Sequence, residues 1–155
     1  MSKLIIVRGP SGSGKTTLAM HLGAEYGEVT AGDIMPVFEA DTYFEGQNGY
    51  KFDASQLGSA HRWCQLNAER SMFHGEDLIV SNTSMTNWEL NPYLQLAEKY
   101  GYTVEIWRTP GPWDADVLFE RNVHGVPLVT LQKQVRKYQP LDNEREWEDL
   151  TIFQA

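Results

Sequence analysis

Residues 9–16 read GPSGSGKT and fill every fixed position of the phosphate-loop pattern GxxxxGK[ST]. The apolar run LIIV at residues 4–7 stands just before the loop and predicts a buried parallel strand. Behind the loop, apolar side chains recur at helical spacing and predict a helix over residues 16–26, capped by Gly27. Strand, loop and helix thus come in the order that the motif requires, which predicts a nucleoside triphosphate site.

The loop supplies three kinds of contact to a triphosphate. Its glycines allow backbone conformations closed to other residues, so that N–H groups can surround a phosphate at the positive end of a helix. Lys15 adds a mobile charge for the β- and γ-phosphates, and the Thr16 hydroxyl is a ligand for Mg²⁺. We therefore expect ATP and Mg²⁺ as cofactors. The predicted nucleotide-binding residues are Gly9, Ser11, Gly12, Ser13, Gly14, Lys15, Thr16, Thr17 and Arg121.

Length and charge limit the class of protein. A chain of 155 residues with 41% hydrophobic content is long enough for one domain and too short for two, so we predict one α/β kinase domain over residues 1–155. A formal net charge of −8 argues against a broad electrostatic surface for nucleic acid, because such binding needs clustered Lys and Arg. The charge does not exclude a local basic pocket.

Cysteine content and hydropathy indicate the compartment. The single cysteine, Cys64, excludes a disulfide partner within the chain and a thiolate metal cluster. Residues 1–3 lead into the first strand without a charged and then apolar leader, and no apolar run reaches membrane-spanning length. We expect a cytoplasmic protein with no membrane partner.

A carboxylate follows the second predicted strand. The run VFEA at residues 37–40 predicts this strand, and Asp41 comes directly after it. Ligands of open parallel sheets bind beyond the carboxyl ends of the strands, so Asp41 is a candidate general base and, with Thr16, a candidate metal ligand. The alternative interpretation of Asp41 is a turn or helix-capping residue.

Neutral side chains follow the third predicted strand, residues 78–80. Many phosphate-loop NTPases hold Mg²⁺ with a carboxylate here. This chain has Ser81, Asn82 and Thr83 instead, so Mg²⁺ must depend on Thr16, the phosphates, water and Asp41. A fourth strand over residues 103–107 brings Arg108 to the same edge, and residues 150–153 are predicted to add an edge strand.

Four further helices complete the predicted architecture, over residues 55–74, 86–100, 115–121 and 130–138. The last two, with Arg121 at their joint, are typical of a lid over residues 113–138 that closes on the triphosphate. The alternative is a surface hairpin with Arg121 in an ordinary ion pair. His61 and Trp63, on the first of these helices, are interpreted as packing residues.

Several strings resemble the polynucleotide-kinase-like phosphate-loop kinases, especially small members akin to the kinase module of a ubiquitin-ligase-binding protein. The most distinctive are AHRW at residues 60–63 and HGVP at residues 124–127. The others are the phosphate loop, ADTYF at 40–44, Tyr50, Phe52, IVSNT at 79–83, WE at 88–89, PY at 92–93 and RN at 121–122.

The resemblance implies a three-layer, adenylate-kinase-like core that transfers the γ-phosphate of ATP to an alcohol. In the best-known members this alcohol is the 5′-hydroxyl of DNA or RNA. Asp41 matches the aspartate that takes the acceptor proton, and Arg121 matches a lid arginine. Lys15 and Thr16 match the phosphate and metal ligands, and His124 stands where some relatives carry further basic residues.

Three classes of function remain open. A 5′-hydroxyl end of single-stranded DNA or RNA ranks first by resemblance, although Phe44 stands where such a kinase can carry an arginine. A small alcohol such as a sugar, nucleoside or modified base fits the acidic composition. A nucleotide-dependent interaction module without activity is supported only by the absent carboxylate at Ser81. Candidate acceptor-side residues are Tyr43, Asn82, Thr83, Arg108 and His124.

Overall fold

A parallel five-stranded sheet forms the centre of the computed structural model, which describes residues 2–46 and 49–154. Its strands, named in chain order with a separate two-stranded hairpin, are β1 (Lys3–Arg8), β2 (Val37–Phe38), β3 (Glu45–Gly46), β4 (Gly49–Tyr50), β5 (Leu78–Asn82), β6 (Thr103–Arg108) and β7 (Glu144–Glu146). The order in the sheet is β2-β5-β1-β6-β7, and β3 pairs with β4. The α/β fold with a parallel sheet, predicted from the phosphate loop and the apolar runs, is confirmed.

The register aligns the carboxyl ends of the central strands. Arg8, the last residue of β1, lies opposite Asn82 of β5 and Arg108 of β6. The segments that leave these strands therefore emerge at one edge of the sheet, where ligands of such folds bind.

Helices cover both faces of the sheet. They are α1 (Lys15–Thr30), α2 (Leu57–Phe73), α3 (Asn87–Tyr100), α4 (Ala115–Arg121) and α5 (Leu128–Lys137). Alternate residues of β1 point to opposite faces: Leu4 and Ile6 pack with α2 and α3, and Ile5 and Val7 pack with α1. The result is three layers with a hydrophobic cluster on each side of the sheet. In the part of the chain that the structure describes, no helix combines the length and the apolarity needed to cross a bilayer.

Several helix ends lie at or near the residues that the sequence predicts. Thr86 caps α3, and its side chain and that of Glu89 form the reciprocal bonds of a capping box. Gly101 ends this helix with a positive φ of 72°. Helix α4 has the predicted bounds, whereas α5 begins two residues earlier than predicted, directly after Pro127.

The predicted end of α1 is wrong. Helix α1 does not end at Gly27 but continues to Thr30, and the N–H of Ala31 donates to the Gly27 carbonyl. Gly27 instead permits close packing, since a Cβ there would lie 3.4 Å from the backbone of Gly32 and Asp33.

The edge strand predicted at residues 150–153 is also wrong. These residues form a 3-10 helix that the Asp149 side chain caps by accepting from the Thr151 N–H. The edge strand is β7, which pairs with β6 through Ile106, Trp107 and Arg108. Strand β2 ends at Phe38 and is shorter than predicted, because another 3-10 helix, Ala40–Phe44, follows it.

Candidate active site

A cavity of about 620 Å³ opens at the carboxyl ends of the strands. It is bounded by the phosphate loop, the segment after β2, helix α2, the end of β5 and the α4–α5 hairpin. The predicted site residues that line it are Ser11, Gly12, Gly14, Lys15, Thr16, Thr17, Asp41, Asn82, Thr83, Arg121 and His124.

Gly9 and Ser13 support the loop from behind. The buried Ser13 hydroxyl accepts a hydrogen bond of 2.8 Å from the Thr109 hydroxyl. The Gly9 N–H donates to the Thr83 carbonyl, and a Cβ at Gly9 would lie only 2.2 Å from Thr109 Oγ1. Both residues therefore shape the loop and do not line the cavity.

The loop ends where α1 begins. Gly14 caps this helix with a φ of 96°, a conformation that favours glycine. The first N–H groups of a helix have no partner within the helix and favour an anion, so the α1 N-terminus suits a phosphate group.

Lys15 places a cation beside the loop. Its ammonium donates to the Pro10 carbonyl at 3.1 Å. Desolvation by burial lowers the pKa of Lys15 to about 8, while the negative charges of Asp41 and Glu39 act in the opposite direction. The charged form thus predominates at neutral pH, as phosphate binding requires.

Glu39 is a site residue that the sequence analysis missed. The Thr16 hydroxyl donates to Glu39 Oε1 at 2.8 Å, and the same carboxylate lines the cavity. The sequence pattern assigned Glu39 to a strand, whereas β2 ends at Phe38 and leaves Glu39 beyond it. The sequence signal that could have identified Glu39 is its carboxylate, two residues before Asp41.

Oxygen atoms at this end of the cavity suit Mg²⁺, a hard cation that binds carboxylate, hydroxyl and water oxygens. Thr16 and Glu39 supply a hydroxyl and a carboxylate. Ser81 also lines the cavity, and its buried hydroxyl has no hydrogen-bond partner among the described residues. The residues present therefore fit the ion.

Asn82 connects β5 to the segment that carries Asp41. Its Oδ1 accepts from the Ala40 N–H at 2.8 Å, and its Nδ2 donates to Cys64 Sγ at 3.7 Å and to the Tyr93 hydroxyl at 3.5 Å. Asn82 is buried. It therefore positions the Asp41 backbone, although it was predicted for the acceptor side.

Aromatic residues surround the Asp41 end of the cavity. The rings of Tyr50 and His124 lie 4.3 Å apart at an angle of 36°. Burial raises the pKa of Tyr50 to about 12, and the Asp41 carboxylate contributes to this rise. Phe52 and His61 line the same cavity. His61, interpreted from sequence as a packing residue, thus has part of its surface on the cavity.

Two predicted acceptor-side residues lie outside the cavity. The Arg108 guanidinium lies 3.8 Å from the centre of the Trp113 ring and 3.5 Å from Glu146 of β7, and Arg108 does not line the cavity. Tyr43 lines a separate groove, with its hydroxyl 3.4 Å from Gln56 Oε1. The locations of Arg108 and Tyr43 could not be predicted from sequence, because both depend on contacts with neighbouring segments.

The α4–α5 hairpin contacts the phosphate loop directly. The Ser11 N–H donates to Gln134 Oε1 at 2.9 Å, and Gln134 Nε2 donates to the Ser11 hydroxyl at 3.2 Å. A Cβ at Gly12 would lie 2.7 Å from the Leu118 carbonyl oxygen, so only glycine allows this approach. Arg121, at the end of α4, lines the cavity.

Comparison with known proteins shows the family of the chain. A family model described as "AAA domain" matches residues 4–140. NEDD4-binding protein 2 of Homo sapiens is 34% identical over 140 residues, which cover 88% of this chain and 8% of that protein. The chain thus spans a small part of this relative's length.

Solved kinase structures share the fold. A sugar kinase from Janibacter sp. HTCC2649 superposes with a TM-score of 0.65 at 21% identity, over 100% of this chain and 88% of that chain. The APS kinase CysC of Mycobacterium tuberculosis, in complex with AMPPNP and APS, gives 0.64 at 18% identity, over 97% and 91%. The chain belongs to the AAA domain family and has the fold of the phosphate-loop kinases.

Proposed function

We propose that this protein is an ATP-dependent phosphotransferase that moves the γ-phosphate to a hydroxyl group. One observation carries the proposal: a single cavity holds Lys15 of the phosphate loop, the carboxylate of Asp41 and the guanidinium of Arg121. These are a phosphate-binding cation, a proton acceptor and a second cation for the charge that develops during transfer.

Each group has a distinct role in an in-line transfer. The loop N–H groups and Lys15 hold the β- and γ-phosphates, while Asp41 orients the acceptor hydroxyl and takes its proton. Arg121 stabilises the charge on the transferred group once the hairpin, residues 113–138, closes as a lid. Thr16 is the loop residue that would ligate Mg²⁺, and the bound ion would neutralise charge on the phosphate oxygens.

The acceptor proposed first is the 5′-hydroxyl of single-stranded DNA or RNA. Support comes from the strings that resemble polynucleotide-kinase-like enzymes and from the Tyr50 and His124 rings beside Asp41, since aromatic rings can stack on a terminal base. A small neutral alcohol is the second candidate. This candidate is supported by the charges of the cavity. Among the described residues, Lys15 and Arg121 are the only lysine and arginine that line it. Both are needed by the triphosphate, so neither is left to bind a phosphate of the acceptor.

The test is transfer of labelled γ-phosphate from ATP, with Mg²⁺, to 5′-hydroxyl DNA and RNA oligonucleotides and, in parallel, to nucleosides and sugars. Asp41→Asn should lower the transfer rate by about two to four orders of magnitude and leave ATP affinity nearly intact. Asp142→Asn is the matched control, because Asp142 is exposed and lies outside the cavity.

The possible outcomes separate the candidates. Labelled oligonucleotide establishes the first acceptor class, and labelled nucleoside or sugar alone establishes the second. ATP binding without any labelled acceptor would favour the interaction module, and normal transfer by Asp41→Asn would overturn the assignment of the base.

A further inference from the structure

Two carboxylates line the cavity, and they face different partners. Glu39 accepts the hydrogen bond from the Thr16 hydroxyl at 2.8 Å. Asp41 interacts with Tyr50, whose ring lies beside His124, and both carboxylates also act on the Lys15 ammonium. Ala40, between the two, is anchored through its N–H to Asn82 Oδ1. Of the two carboxylates, Glu39 is therefore the one that contacts the Thr16 hydroxyl of the phosphate loop.

Strand β5, which pairs with β1, has no carboxylate that could bind a metal ion. Strand β5 ends with Ser81 and Asn82, at the position where phosphate-loop enzymes commonly carry an aspartate. The Asn82 amide oxygen already accepts from the Ala40 N–H. A negative charge from the protein must therefore come from a segment other than β5.

Strand pairing brings Glu39 to that place. Phe38, the last residue of β2, lies opposite Val80 of β5, so Glu39, directly after β2, follows the strand pair on the same side as Ser81 of β5. Both line the cavity. Among the described residues, the buried Ser81 hydroxyl has no hydrogen-bond partner, so it is a polar atom free to bond a group that enters here.

We propose that Glu39 is the carboxylate of the Mg²⁺ site, acting together with the Thr16 hydroxyl and the Ser81 hydroxyl. The proposal rests on the proposed function, because the ion accompanies ATP. Glu39 accepts the hydroxyl hydrogen of Thr16 and so leaves the Thr16 oxygen lone pairs for the cation. Its charge and the Ser81 hydroxyl hold the water molecules that Mg²⁺ retains in such sites. Asp41 is then left to the acceptor, and not to the metal as the sequence analysis expected.

The test measures metal binding without turnover. Mn²⁺ is titrated into the protein saturated with AMPPNP, a non-hydrolysable ATP analogue, and bound Mn²⁺ is followed by electron paramagnetic resonance. Glu39→Gln keeps the shape of the side chain and should weaken Mn²⁺ binding by about 10- to 100-fold. Ser81→Ala and Asp41→Asn should each weaken it much less than Glu39→Gln, Asp41→Asn only through the loss of a charge in the same cavity.

Glu45→Gln is the control for loss of a nearby negative charge, because Glu45 is exposed and lies in the separate groove. Wild-type Mn²⁺ affinity in Glu39→Gln, or a loss confined to Asp41→Asn, would overturn the proposal while leaving the kinase function untouched. Failure of the wild-type protein to bind AMPPNP would overturn both. If the variants behave as expected but no acceptor is phosphorylated, the proposed function alone fails.

Discussion

The guanidinium of Arg8 lies 2.7 Å from the carboxylate of Glu144, and the two side chains are 0% and 7% exposed. Arg8 ends β1, directly before the phosphate loop, and also donates to the carbonyls of Ser84 and Gln139 at 2.9 Å each. Glu144 begins β7 and accepts from the Leu141 N–H and the Tyr138 hydroxyl. The pair therefore joins the strand that carries the loop to the segment that follows α5.

Removing Glu144 should strongly destabilise the protein. Glu144→Ala leaves the Arg8 charge buried without its partner, and breaking such a pair from one side costs about 3–5 kcal/mol. The measurement is the free energy of unfolding from urea denaturation. Lys3→Met is the control, because it breaks the Lys3–Glu105 ion pair of 3.2 Å, in which the Lys3 side chain is 42% exposed. This substitution should lower the free energy of unfolding by less than about 1 kcal/mol. Equal losses in the two variants would contradict the expected role of burial.

Gly14→Ala should impair both folding and nucleotide binding. A side chain at a φ of 96° is strained, by about 1–2 kcal/mol for the left-handed conformation, and the new Cβ would lie 2.6 Å from Phe153 Cε1. We expect a lower melting temperature and weaker binding of a fluorescent ATP analogue. Gly58→Ala is the matched control, since a Cβ on this α2 glycine meets no atom within 4 Å and alanine favours a helix. A Gly14→Ala protein that binds nucleotide normally would count against the loop geometry.

Arg121→Ala should reduce turnover far more than ATP affinity. The side chain comes from the α4–α5 hairpin, and an arginine on the transition state of related reactions contributes about three to five orders of magnitude. The rate is measured with the acceptor identified by the transfer experiment, and ATP affinity is measured by fluorescence. Lys133→Ala removes a cation from the exposed side of the same hairpin and should change neither quantity. Loss of ATP affinity alone in Arg121→Ala would assign the residue to binding.

His61 should remain neutral at pH 7. Burial lowers the pKa of His61 below its usual 6.5. The negative charges of Glu89 and Asp41 raise this pKa, and the positive charge of Lys137 lowers it further. Below pH 6.5 the unfolded chain binds a proton that the folded chain resists, so His61 makes stability fall as the pH drops. An NMR titration of the His61 ring, assigned with His61→Gln, measures the pKa directly. In urea denaturation, His61→Gln should lose less stability than wild type between pH 7.5 and pH 5.5, and a His61 pKa above 6.5 would contradict this account.

The sequence by itself determined the features that depend on near neighbours along the chain. The phosphate loop between a β-branched strand and a helix predicted the α/β fold, and the helix predicted from residue 86 begins with Thr86 as its N-cap. Helix α4 has the predicted bounds for the same reason. Most of the predicted site residues line one cavity, because parallel strands bring the segments after them to one edge.

Tertiary structure decided the features that need partners distant in sequence. Asn82 fixes the backbone at Ala40, 42 residues away, and β2 stops at Phe38, which releases Glu39 toward Thr16. Trp113 and Glu146 draw Arg108 out of the cavity, and pairing with β6 creates the edge strand β7. No periodicity records these contacts, because strand register and side-chain partners are set by packing between segments and not by the propensity of any one of them.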